Sequence, residues 1–363
     1  MNFYNPGKVF CALLLFVCVC AVSACGDEKN GSASAEKPGE KPLIGVLLYR
    51  DGDVYISLVR ASILDSLKDR AEVILMAANS DQLTQNDQLD AMLKQKVRGL
   101  AVNLVDVQAA SFVLDQSKKA GIPVVFFNRE PDLARIKSYA RTCFIGTVPS
   151  AAGKMQGDII KQLWDAHPEY DRNGDKAVQY MMLQANADNP ESVARTEFSV
   201  KQARELGLNM RQIGQTLMCE WDEDRAYDAV RMALPHMEES LEMVIANNDS
   251  MALGAVRALR EIGWNTGEEG AKYIPVIGVD ATPQAVEAIR RGLMSATVKQ
   301  DGKRMGEAIG AITLNAVKGA PMLEGTDWAW DDSGIGVRVP YAPYLGREQQ
   351  PAASAATDSL MPK

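Results

Sequence analysis

Four apolar runs of this chain stop at side chains that can grip a hydroxyl group, and that pattern constrains its fold more than any other feature. LIGVLLY (43–49) runs into Asp51 and Asp53, IPVVFF (122–127) into Asn128, EMVIAN (242–247) into Asn248, and YIPVIGV (273–279) into Asp280. Each run has the length and the β-branched or aromatic content of a buried strand, and helix-like stretches follow. Ligands of open parallel α/β sheets sit at the carboxyl ends of the strands, so these positions converge on one crevice. Carboxylates and amides with no nucleophile–base pair beside them suit the binding of a neutral polyol and not its transformation. Asp53, Asn248 and Asp249 are equally good helix N-caps, and that role stays open beside the first.

The alternation runs through the chain. In the first half, helix patterns over 54–69, 82–96 and 107–120 separate strands at 43–49, 71–77, 99–104 and 122–127. In the second, helices over 191–207, 222–234, 249–262 and 282–291 separate strands at 177–183, 212–218, 242–247 and 273–279. Repeated βα units predict an α/β fold of two lobes, each a parallel sheet flanked by helices, with a cleft between them. A strand at 294–299, a helix near 303–318 and a last strand at 336–340 return the chain between the lobes. The expected division is 43–147 plus 300–336 for the first lobe and 148–299 plus 337–345 for the second, with residues 346–363 a disordered tail.

The opening residues point to export. Lys8 precedes VFCALLLFVCVCAV (9–22), which is short for a membrane span and shaped like a signal-peptide core. It ends in Val22-Ser23-Ala24-Cys25, the pattern of a lipoprotein signal (1–24) cut just before a lipidated Cys25; ordinary cleavage nearby, with Cys25 incidental, is the alternative. Residues 25–42 are polar and form a disordered tether. The expected place is the periplasm or the cell surface. Of six cysteines, only Cys143 and Cys219 fall in the folded part, in different halves, and two buried thiols are expected in place of a disulfide. With two histidines and no Cys/His cluster, a zinc site or a His-based hydrolase is excluded. A formal net charge of −8 argues against nucleic acid.

One loop has the spacing of a calcium site. Asp171, Asn173, Asp175 and Gln179 supply oxygens at positions 1, 3, 5 and 9, and Ala177 offers its carbonyl at 7. Lys176 replaces the usual glycine at position 6 and Met182 the usual glutamate at 12. A plain polar turn remains the alternative.

GVLLYRDGDVY, QNDQLDAMLKQKVRGLAVNLVD, IPVVFFNREP, NPESVART, MVIANNDSMALGAV and IGVDATPQAVEAI resemble the periplasmic galactose/glucose-binding proteins of sugar ABC transporters, over about residues 43 to 345. The resemblance implies a type I periplasmic binding fold, hinged at three crossover strands near Gly146-Thr147, Val298–Asp301 and Val337–Pro340. It implies a monosaccharide ligand, D-galactose or D-glucose, and an ABC permease as partner. A chemoreceptor is a further possible partner, and the chain is expected to be a monomer and no enzyme. Carried over residue by residue, Asp53, Tyr55, Asn128, Arg195, Trp221, Asn248 and Asp280 hold the family's sugar-binding places, Tyr55 where phenylalanine is usual. Asn189, Glu191 and Gln300 depart from the family's His, Asp and Asn. The two longer side chains narrow or reshape the pocket, which leaves a different monosaccharide open. In the family a remote glutamate completes the Ca²⁺ site, and Glu242 stands there. Regulators that share the two-lobed core carry a DNA-binding helix pair where this chain has its signal and tether. A glycosidase reading would pair Asp53 with Asp280.

Overall fold

The computed structural model describes residues 41–346, so the signal segment, Cys25, most of the tether and the tail lie outside the described residues. The apolar runs form two sheets. The first contains β1 (Leu43–Leu48), β2 (Glu72–Ala77), β3 (Gly99–Val102), β4 (Val124–Phe127), β5 (Thr142–Gly146) and β12 (Gly336–Arg338), all parallel, in the order β12-β5-β4-β3-β1-β2. The second contains β6 (Ala177–Gln184), β7 (Asn209–Gln212), β8 (Leu217–Met218), β9 (Met243–Ala246), β10 (Val276–Asp280), β11 (Ala296–Gln300) and β13 (Tyr341–Leu345). It is parallel except for β13, which runs antiparallel to β11 at one edge.

Helices cover both faces, which explains the composition of the strands. β3, β4, β5, β9 and β10 are buried at every position and have no polar face to spare. The edge strand β2 is half-exposed. Helices α1 (Val54–Leu67) and α10 (Gly302–Lys318) pack together on the first sheet's side, where a methyl group on Gly306 would lie 2.4 Å from Ser62 Cβ. On the second sheet α5 (Pro149–Ala166) packs against α6 (Pro190–Glu205), and α7 (Glu223–Ala233) against α8 (Asp249–Glu261).

In both sheets the chain order reverses beside the first strand, between β1 and β3 and between β6 and β9, which opens a crevice at the carboxyl ends. The backbone crosses between the halves three times: at Thr147-Val148 after β5, at Asp301 after β11, and at Val339-Pro340 after β12. Two boundaries differ from the sequence expectation. Gln300 belongs to the second sheet, opposite Tyr341, and Val337 and Arg338 stay in the first, opposite Ile145 and Gly146. Periodicity also missed β5 and the 18-residue α5, and it merged β7 and β8 into one strand at 212–218. Gly214, at φ +66°, breaks that run. Cys143 and Cys219 are buried and unbonded, and burial pushes both thiols up to about 12.

Candidate functional site

The carboxyl ends of the two sheets meet at one cavity. Asp53, Tyr55 and Asn128 line it from the first half, and Asn189, Glu191, Arg195, Trp221, Asn248, Asp280 and Gln300 from the second. The structure thus brings together the ten side chains assigned to the sugar, whereas Asp51, also expected at the crevice, stays outside it, exposed and paired with Arg60 at 2.8 Å. Tyr49, Ile56 and Arg129 line it as well. The cavity measures about 30 Å³, room for a water or two. A wider compartment of about 330 Å³ continues from it toward solvent past Tyr49, Arg129, Asn189 and Trp221. A pyranose therefore enters the inner chamber only when its walls move apart.

On the first wall the positions are set locally. Asp53 is both cap and wall: Oδ1 accepts the Ile56 N–H at 2.9 Å, which starts α1, while Oδ2 accepts the Tyr49 hydroxyl and lies 3.8 Å from the Arg50 guanidinium. Asn128 ends β4 with φ +63°, a conformation asparagine tolerates, and its Oδ1 accepts from Asn103 at 3.2 Å. Arg129 stacks on the Tyr49 ring at 3.8 Å and donates to the Val105 carbonyl at 2.7 Å. Burial pushes the Tyr49 hydroxyl well up, and the Asp53 carboxylate adds to that. Tyr55 is buried, with its hydroxyl donating to Met305 Sδ.

The second wall is a charge network around Arg195, which is 2% exposed. Its Nη1 donates to the Asn247 carbonyl at 2.9 Å, and its Nη2 donates to Gln300 Oε1 at 2.8 Å and the Tyr341 hydroxyl at 3.1 Å. Glu191 lies 3.4 Å away and Asp280 3.9 Å away. Burial alone would lower the guanidinium's pKa, yet Tyr341, Glu191 and Asp280 together raise it, so the charge is held firmly. Burial pushes Asp280 well above the carboxylate range, against the pull of Arg195, with Asp249, Asp53 and Glu191 adding to the rise. The extra methylene of Glu191 carries its carboxylate to the crossings between the halves, where it accepts from Thr147 Oγ1 at 2.8 Å and the Tyr341 hydroxyl at 3.1 Å. Trp221 sits half-buried over Arg195, 5.5 Å from ring centre to guanidinium. It is held at φ +62° after Glu220 at +50°, a backbone conformation costing about 1–2 kcal/mol per residue.

Asn189 and Asn248 also cap helices, accepting from Ser192 N at 3.1 Å and Met251 N at 3.0 Å. Capping and lining the cavity are two uses of one side chain here. Two of the lining residues keep a buried donor without a partner, Arg195 at Nε and Gln300 at Nε2. Leaving a buried donor unpaired costs roughly 1–3 kcal/mol, and a ligand hydroxyl would relieve it. Tyr49 and Arg129 adjoin positions the sequence had flagged, so their adjacency was the available signal. Thr147 and Tyr341 carried none, since only the crossings bring them to Glu191.

The 171–179 loop lies apart from this cavity. Asp171 accepts from Gly174 N at 2.9 Å and Lys176 N at 3.1 Å, and Asn173 accepts from Asp175 N at 2.9 Å. Asp175 Oδ1 accepts from Ala177 N at 2.9 Å, and its Oδ2 takes Gln179 Nε2 and Arg211 Nη1, both at 3.1 Å. Glu242 reaches across to accept from the Arg172 and Gln179 N–H groups, both at 2.9 Å. Burial pushes Glu242 up and Asp171 and Asp175 add to it, while Arg211 stands as a counter-charge 3.1 Å from Asp175 Oδ2. The oxygen donors of this set suit a hard cation. Gln179, however, points its amide nitrogen at Asp175, and among the described residues no three acidic, His or Cys side chains are gathered closely enough to hold a metal as they stand.

Residues 44–321 match the periplasmic binding protein domain. The chain belongs to the periplasmic binding protein family. It is 36% identical over 320 residues to the D-galactose/methyl-galactoside binding periplasmic protein MglB of Haemophilus influenzae, covering 87% of this chain and 92% of that one. It is 26% identical over 284 residues to a putative rhizopine-binding protein of Rhizobium meliloti, covering 76% and 84%. Among solved structures, an ABC transporter solute-binding protein of Actinobacillus succinogenes with bound D-allose superposes with a TM-score of 0.70 at 19% identity, covering 85% of this chain and 99% of that one. One of Bacillus halodurans with bound myo-inositol gives 0.69 at 22%, covering 85% and 96%. These likenesses show the type I fold. The family captures solutes for import and does not transform them.

Proposed function

We propose that this protein captures a monosaccharide, D-galactose or D-glucose, between its two halves and delivers it to an ABC permease. The observation that carries the reading is that Arg195 and Gln300, each with an unpaired buried donor, line one chamber with Asp53, Asn128, Asn248 and Asp280. Its charges are balanced internally, which suits a neutral hydroxylated ligand. Tyr55 and Trp221 are suited to the apolar faces of a pyranose. The 36% identity to a D-galactose/methyl-galactoside binding protein supports the choice of hexose. A second reading, another monosaccharide, is favoured by the narrow chamber and by Glu191 and Gln300 being drawn to Tyr341 and Arg195. Calorimetric titration with D-galactose, D-glucose, D-ribose and D-xylose separates the two: one-to-one binding of either hexose supports the first, and heat from a pentose alone supports the second.

The remaining roles belong to the same reading. The protein is exported, cleaved after Ala24, anchored by a lipid on Cys25, and works as a monomer; a chemoreceptor is an alternative recipient of its sugar-loaded form. Ca²⁺ binds in the 171–179 loop through Asp171, Asn173, Asp175, Gln179, the Ala177 carbonyl and Glu242, and braces the second half without touching the sugar. Mass spectrometry of the membrane fraction, with Cys25→Ser as the control, tests the anchor. A calcium-dependent melting temperature tests the loop.

A further inference from the structure

At the mouth of the cleft one side chain ties the two halves together. Arg50, in the loop after β1, donates from Nη1 to the Glu220 carbonyl at 3.2 Å and from Nη2 to the Trp221 carbonyl at 3.3 Å. These carbonyls lie in the second half, on the two consecutive residues held at φ +50° and +62°. Side chains as bulky as tryptophan rarely adopt that backbone, so the turn that presents Trp221 needs outside support. The Glu220 side chain is engaged elsewhere, with Arg225 at 2.7 Å. On its own side Arg50 lies 3.8 Å from Asp53 Oδ2 and 5.4 Å from the centre of the Tyr49 ring. The same guanidinium thus touches the polar edge of one wall and the backbone that carries the aromatic face of the other.

We propose that Arg50 is a latch: a positioning residue that holds Trp221 over the bound sugar and slows the sugar's escape. The inference rests on the monosaccharide reading of the cleft. Its two contacts to the second half exist only when the halves are closed, so they lower the free energy of the closed state alone and shift the population toward it. A planar guanidinium holds two adjacent carbonyls in a fixed fork, a geometry a rotating ammonium does not impose, so lysine is a partial substitute. The walls must part before the sugar escapes, so losing the latch speeds dissociation.

The test is stopped-flow binding of D-galactose and D-glucose to wild type, Arg50→Ala and Arg50→Lys, with small-angle scattering of each protein free of sugar. The expected result is a dissociation rate raised about tenfold in Arg50→Ala, an intermediate rate in Arg50→Lys, and a larger sugar-free radius of gyration in Arg50→Ala. A wild-type dissociation rate in Arg50→Ala overturns the latch. If wild type binds neither hexose, the sugar assignment fails, and the scattering still decides: an expanded Arg50→Ala protein supports the latch and an unchanged one overturns it.

Discussion

The two walls of the cleft are built on different principles. On the first, Asp53 is placed by Ile56 and Tyr49 within four residues and Asn128 by the end of its own strand and by Asn103, and only Tyr55 reaches far along the chain, to Met305. On the second, Arg195 is placed by Asn247, Gln300 and Tyr341, which lie 52, 105 and 146 residues away in the chain. The first wall holds one helix start, Asp53, that also faces the cavity. The second is a buried charge cluster that exists only once the whole fold has formed. Substitutions should therefore separate binding from stability on the first wall and damage both on the second.

The largest effect belongs to Arg195→Met. It leaves Asp280 and Glu191 buried without their counter-charge, so sugar affinity falls beyond detection and stability drops by roughly 3–5 kcal/mol, read by calorimetry and by urea unfolding. A folded, tight-binding variant would break the comparison. On the first wall, Asp53→Asn keeps the cap, since asparagine caps as well as aspartate, and removes the charge facing the cavity. Affinity should fall about tenfold while stability stays within about 0.5 kcal/mol. A loss of stability as large as that of the arginine variant would erase the distinction.

Chelation sharpens it from outside. If Ca²⁺ braces the second half alone, EDTA lowers the melting temperature by several degrees, through the repulsion among Asp171, Asp175 and Glu242, and changes sugar affinity at 25 °C less than about twofold. Smallest is the pH effect of Asp249, which burial pushes up to about 7 while Thr297 Oγ1 donates to it at 2.6 Å and Thr282 N at 2.7 Å. Between the ordinary carboxylate range and 7 the folded state keeps a proton that the unfolded chain has shed. Stability therefore falls as pH rises through that window. Asp249→Asn should flatten the slope of melting temperature against pH from 5 to 8, and a slope equal to wild type would show that this carboxylate does not supply it.

The same contrast explains what could be read in the sequence. Strand ends are local features, so Asp53, Asn128, Asn248 and Asp280 stood out from their apolar runs, and the resemblance placed Glu191, Arg195 and Gln300 beside them. The weakly patterned Thr142–Gly146 gave no comparable signal, although burial on all five residues makes it a central strand. Thr147 and Tyr341 were invisible because neither is near Glu191 in sequence; the crossings of the chain bring them there. The two extra methylenes, on Glu191 and Gln300, pointed to a pocket narrowed or reshaped. The direction those methylenes take, toward the crossings and toward Arg195, needed the fold.

The most direct test of the account is a crystal structure of the protein grown with D-galactose. The account predicts one pyranose ring between Tyr55 and Trp221, with Arg195 Nε and Gln300 Nε2 each donating to a sugar hydroxyl. A ring bound elsewhere, or bound in the cleft with those two donors still unpaired, would contradict it.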